Sequence, residues 1–148
     1  MILLDQIENL IKPLKKSDVP EFGLMSAQHM VEHLTLTVKI SYGRIKLPEF
    51  QPSEKNLKLK EIVMSDNFEF PRGVKAPGLG DKLMPLKYQN LEDAKDALLE
   101  SISSYRAYWE ENPKEQNIHP RFGYLNRKEW DHFHDRHFKH HLKQFRLI

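Results

Sequence analysis

Five of the chain's eight histidines fall between His132 and His141. Two of them, His137 and His141, stand four residues apart. On a helix that spacing puts both imidazoles on one face, where they can aim at a single point. Asn126 is a good N-cap for such a helix, with Glu129 three residues on as its capping-box partner, and the helix is expected to run from Arg127 to about Phe145. Trp130, Phe133, Phe138, Leu142 and Phe145 then form its apolar face. His137 and His141 fall near the middle of that face, with His134 beside them. Arg136, Lys139, Lys143 and Arg146 lie opposite, His132 shares their side, and His140 sits on the flank. Burying two unpartnered imidazoles costs about 1–3 kcal/mol each. A divalent cation gives both nitrogens a partner and keeps both rings neutral. A single inward histidine is more often a core residue bonded to a carbonyl or carboxylate, so the pair alone does not decide the matter.

A second pair, His29 and His33, has the same spacing. His33 lies beside Met30, Thr37 and Ile40, away from the polar sector of its helix, formed by Glu32, Thr35 and Lys39. If the second and last helices pack together, one histidine from the second completes a three-histidine site. Three neutral nitrogens leave a position for water or substrate, the pattern of a catalytic zinc-type centre. Nitrogen donors suit zinc or nickel first, with copper, iron, cobalt and manganese as further candidates. No HExxH occurs, because the acid in HMVEH directly precedes the second histidine, so a zincin-type protease is not supported. The chain has no cysteine. Disulfides, thiolate nucleophiles and Cys-ligated metals are therefore excluded.

The elements that must position these side chains follow from periodicity. The 148 residues are one domain's worth, taken as a single domain over 1–148. Leu3, Ile7, Leu10, Ile11 and Leu14 have helical spacing, and Pro13 is expected to end that helix near Ile11–Lys12. Ser26 is a good N-cap for a second helix to about Arg44, apolar on more than one side and hence buried. Residues 46–90 hold more than half of the prolines and half of the glycines. They read as a long irregular excursion with one short element near Leu57–Met64. Leu91–Asn112 is a strong helix stopped by Pro113, and KEQNIHPRFGYL reads as a loop. Four helices and no convincing strand pairs make an all-α four-helix bundle the expected fold class, with the excursion between helices 2 and 3. A small α+β domain with a hairpin in 46–75 is the alternative.

The formal charge of +2 argues against a dedicated nucleic-acid binder. Salt-dependent DNA binding would revive that reading for RHFKHHLKQFR. No apolar run approaches the ~18–20 residues of a membrane span. The N-terminus, with Asp5 and Glu8 inside its apolar stretch, is unlike a signal peptide, and a cytoplasmic location is expected.

SAQHMVEHL on the second helix and HPRFGYLNRKEWDHFHDRHFKHHLKQF at the C-terminus together resemble the DinB/YfiT-like superfamily of metalloenzymes. They are closest to a subgroup with a HP-FG-L stretch before the final helix. The resemblance covers mainly residues 24–36 and 119–145. It implies an antiparallel four-helix bundle, often a homodimer, and one divalent metal bound by His33, His137 and His141. His29, His134 and His140 are not implied as ligands. The R-G-Q that often follows the last ligand reads Leu142-Lys143-Gln144 here, without the glycine. Members with known activity use low-molecular-weight thiols, so the resemblance implies a thiol-dependent transferase or, equally, a hydrolase acting on a small molecule, with a thiol as a candidate cofactor. A non-catalytic metal-binding module of the same fold is the alternative. Glu32, next to His33, reads as a solvated or interhelical charge. Arg72, Lys75 and Lys82 are candidates for holding an anionic substrate, although exposed loop charges are more often simply solvated.

Overall fold

The computed structural model describes residues 2–72 and 83–148. The described chain runs α1 (Ile2–Ile11), α2 (Ala27–Ser41), α3 (Glu54–Met64), α4 (Leu91–Glu111), β1 (Gln116–His119), β2 (Gly123–Asn126) and α5 (Arg127–Gln144). The expected all-α four-helix bundle is therefore corrected. There are five described helices and a two-stranded antiparallel sheet, a mixed α and β architecture. The fifth helix is the short element inside the excursion. The described hairpin lies in the segment taken for a loop before the last helix; of the alternative placement in 46–75, the described residues 46–72 hold no strand and residues 73–75 lie outside the described ones.

Local chemistry explains each start. Ser26 accepts a hydrogen bond from the His29 N–H, Ser53 from Asn56, Asn90 from Asp93 and Asn126 from Glu129. Each side-chain oxygen meets a backbone donor that the first helical turn leaves unpaired. At α5 the bond is reciprocal, because Glu129 Oε1 accepts the Asn126 N–H at 3.1 Å. At the other end of α1, Lys95 sends its buried ammonium from α4 to the Lys12 and Leu14 carbonyls at 3.3 and 2.8 Å. A cation there meets carbonyls that the helix cannot satisfy itself.

Packing follows the apolar periodicities. Leu4, Ile7 and Ile11 of α1, Met30, Val31, Leu34 and Val38 of α2, and Ala94, Leu98, Ile102, Tyr105 and Trp109 of α4 are buried in one core. The most extensive contact is α2 along α4, while α5 meets α1, α2, α3 and the hairpin. Its inward face repeats at 130, 133/134, 137/138, 141/142 and 145, the i, i+3, i+4 rule of a helix buried on one side. His137 and His141 are part of that stripe.

The hairpin sets where α5 begins. His119 pairs with Gly123, leaving Pro120–Phe122 as a three-residue connection. Gly123 has φ +74°, and a Cβ there would stand 2.7 Å from Pro52 Cγ, so both its conformation and its neighbour require glycine. His119 is buried, and its Nδ1 accepts the Arg121 and Phe122 N–H groups at 3.0 and 3.2 Å. Its ring stacks on Phe122 at 4.4 Å. The histidine of the HP-FG stretch is thus the internal cap of the turn. Asn117 ties the hairpin to the helices on either side. Its Nδ2 donates to the Ser41 carbonyl of α2, and its own carbonyl accepts the Trp130 indole N–H of α5 at 3.2 Å.

Two predictions follow from His119. Replacing it by leucine keeps the volume but strands two backbone donors, at about 1–3 kcal/mol each. Denaturant unfolding of His119→Leu should show a loss of about 2–6 kcal/mol for the two together, and an unchanged midpoint would refute the capping role. The second concerns acid. Burial lowers His119 and His134 to about 3, each below the ordinary 6.5. The unfolded chain therefore takes up these protons first. Stability is fully present above pH 6.5 and is lost as pH falls from there toward 3. Unfolding free energies between pH 7.5 and 4 should fall steadily, and a flat profile would contradict the burial of both rings.

Candidate metal centre

Three imidazoles converge where α5 crosses α2. His33 Nε2 lies 2.9 Å from His137 Nε2, and His141 Nε2 lies 3.2 Å from the same atom. The ring centroids form a nearly equilateral triangle with sides of 4.8, 4.9 and 4.8 Å. His137 and His141 are buried, and His33 is half-buried. The two α5 rings arrive by their one-turn spacing and the third from the facing wall of α2.

Electrostatics favour neutral rings. Burial is the largest cause of lowering in all three. It brings His33 to about 4, with the nearby His140 adding to the effect. His137 and His141 are held well below the ordinary imidazole range by burial and then by the neighbouring histidines. At neutral pH each nitrogen facing the centre is uncharged, the form in which imidazole binds a metal.

One tautomer is fixed by Gln144. Its Nε2 donates to the Phe22 carbonyl at 2.9 Å, which turns its Oε1 toward His141 Nδ1 at 2.7 Å. An amide oxygen only accepts, so His141 carries its proton on Nδ1 and presents a lone pair at Nε2. The Gln144 carbonyl also accepts the Glu21 N–H at 2.8 Å, so residues 21–22 are joined to the end of α5 twice. Gly23, at φ +81°, lets this segment approach, since a Cβ there would lie 2.8 Å from Gln144 Nε2.

The donor set fits a divalent ion. A neutral imidazole has one ring N–H, so His137 Nε2 can donate to at most one of its two neighbours. Since the His141 lone pair already points at it, three facing nitrogens cannot all be satisfied by each other. Nitrogens about 2.0–2.1 Å from one tetrahedral ion lie roughly 3.4 Å apart, near the 2.9 and 3.2 Å by which His33 and His141 approach His137 Nε2. His137 Nδ1 is buried without a hydrogen-bond partner among the described residues. The Phe133 and Phe70 rings flank that imidazole at 5.1 and 6.2 Å.

The other histidines serve elsewhere. His134, fully buried, bonds Ser41 Oγ at 2.7 Å and stacks on Trp130. His140 meets the Phe70 carbonyl at 3.3 Å and packs on Phe22. His29 Nδ1 bonds Ser26 Oγ at 2.6 Å. His132 is half-buried and lies outside the cluster.

A cavity of about 130 Å³ opens beside the triad, with His33 and His29 in its wall. Residues 83–88 form its far side. Glu32 pins them, accepting the Lys87 and Tyr88 N–H groups at 2.6 and 3.3 Å and the Gln28 amide at 2.8 Å. The carboxylate expected to be solvated or interhelical instead holds a chain segment across α2. Arg72 lies against Phe22 at 4.6 Å and Glu21 at 3.7 Å, in a separate groove with Arg136, Lys139 and Lys143. Lys75 and Lys82 lie outside the described residues.

Sequence reasoning missed Gln144, Glu32 and the role of His119. For Gln144 a signal existed in its place three residues after His141, one helical turn on. Replacing it by leucine should weaken divalent-metal binding by about 10–100-fold while leaving the fold intact. Competition titration of Gln144→Leu against a chelator measures this, and unaltered affinity would remove its positioning role.

Among the described residues no helix is long and apolar enough to cross a membrane. No curated protein and no solved structure matches the chain. A family model described as a protein of unknown function, DUF1569, matches residues 3–147. That match takes in both helices of the triad, the hairpin and the segment forming the cleft, and the chain belongs to the DUF1569 family.

Proposed function

We propose that the chain is a metal-dependent enzyme of DinB/YfiT-like type, with His33, His137 and His141 as ligands of one divalent ion. A small molecule would be its substrate, in a thiol-dependent transfer or a hydrolysis. The observation that carries the reading is the convergence of three imidazoles from two helices, one ligand nitrogen of each lying within 4.8 Å of the other two. An ion with an open position lowers the pKa of bound water or thiol and so supplies a nucleophile near neutral pH. The chain's own residues do the rest. Gln144 fixes the His141 tautomer, and burial keeps the ligands uncharged. The cleft beside His33 supplies a place for substrate next to the ligands. Without cysteine, any thiol comes from a cofactor.

One observation favours a second reading, a non-catalytic metal-binding module. The carboxylate nearest in sequence to the triad, Glu32, is already engaged by backbone N–H groups and Gln28. It is a poor acid–base partner in that state.

Elemental analysis of protein purified without nickel resin, with zinc and cobalt titrations, tests the metal. A single ion per chain is expected, with affinity at least about 100-fold lower in His33→Ala, since losing a ligand costs more than losing its supporting hydrogen bond. His141→Ala serves as a second variant should the first unfold. No bound ion in the wild-type chain would sink the proposal. Turnover of small thiols with electrophiles, or of esters, by the metal-replete protein selects the enzyme. Thermal stability that collapses on chelation, with no turnover, selects the structural module.

A further inference from the structure

The cavity beside His33 differs in chemistry along its length. Met25, Leu36, Ile45, Leu83, Met84 and Pro85 supply apolar walls, and its volume is about 130 Å³. An apolar cavity of roughly 150 Å³ accepts benzene, so the space suits a single ring or a short branched chain. Besides His29 and His33, α2 puts Glu32 and Lys39 in the cavity wall, seven residues apart, two helical turns or about 10 Å. They give the cleft ends of opposite sign. The Glu32 end is closed to ligands, because three donors already occupy its carboxylate at 2.6–3.3 Å. The Lys39 end is open to them. Its ammonium meets Tyr88 Oη at a long 3.4 Å, which engages one of its three protons. Six residues, about 9 Å of helix rise, separate Lys39 from His33.

We infer that this cleft binds a compact apolar carboxylate, its hydrocarbon body between Leu36 and Met84, its anionic group on Lys39, and its other end beside His33. Three features combine here. The walls reward removal of a hydrocarbon from water. Lys39 supplies a half-buried cation at one end, while Lys87, the other lysine of the wall, carries its ammonium over the Tyr88 ring at 5.7 Å. One member of the triad, His33, borders the same space. A strongly hydrated, many-charged thiol finds few polar partners along these walls, so the selected molecule is of the opposite kind. The inference names a substrate class for the metal-enzyme reading, and it rests on that reading for the ligand's chemical fate but not for its binding.

Phenylacetate is the probe, with 2-phenylethanol and acetate as its two halves, titrated into the full chain and followed by methyl NMR. Metal-free and cobalt-loaded protein are compared. Phenylacetate should shift the Leu36, Ile45 and Met84 methyl signals and bind at least about tenfold more tightly than either half. Lys39→Met should reduce phenylacetate to the level of 2-phenylethanol and leave 2-phenylethanol unchanged. Met84→Glu, at a half-exposed site, should weaken both ring compounds. Equal binding of acetate, shifts confined to other methyls, or indifference to Lys39→Met would overturn the inference. Phenylacetate binding in a chain that takes up no cobalt would leave it standing and remove the metal reading. Cobalt uptake without phenylacetate binding would do the reverse.

Discussion

Three uncharged imidazoles facing one another in a protein interior are an unresolved electrostatic problem, and much of this structure is arranged around it. Burial strips the rings of water, which drives off their protons. Neutrality leaves the three facing nitrogens unable to satisfy one another, since each ring has one N–H and that of His141 already points away, to Gln144. His33 Nε2 and His141 Nε2 both approach His137 Nε2 within 3.2 Å, and among the described residues no other donor relieves the crowding. The surroundings keep the problem in place. Gln144 orients one ring from outside, and Phe133 and Phe70 wall in another. α2 and α5 are each started by a side-chain cap that fixes where their first turn begins.

The hairpin contributes to the same end from a distance. It delivers the chain to Asn126 at a set place, so the phase of α5 is determined before its first turn. His119, Gly123 and Asn117 each have a stated job in that delivery. The HP-FG stretch is therefore scaffolding for the triad, made of residues whose types would by themselves suggest chemistry.

What was legible in the residues was the pattern carried by long periodic segments. The stripe from Trp130 to Phe145 placed His137 and His141 inward, and the capping signals at Ser26 and Asn126 located both helix starts. His33, rather than His29, followed from the apolar side of α2 together with the family resemblance. The hairpin was not legible, because two four-residue strands carry too few alternations to stand against a loop. β2 alternates buried and exposed from Gly123 to Asn126, but Leu125 is its one buried apolar side chain. The short helix after Ser53 was seen only as an element, since a single residue of it, Val63, is buried. Glu32 was misjudged for a different reason. Its partners are backbone N–H groups 55 and 56 residues away, and backbone donors carry no sequence signature.

The separation between His33 and His137 along the chain is 104 residues. An ion shared by them would act as a crosslink, shutting most of the polypeptide into one ring. The entropy of ring closure rises with the logarithm of length, so a clasp spanning so many residues restricts the denatured ensemble more than a short one. A sequence without thiols would thereby gain the kind of covalent-like tether that secreted proteins obtain from cystine, and gain it reversibly, since coordination responds to acid and to chelators. Resistance to proteases would then vary with metal supply as well as with packing.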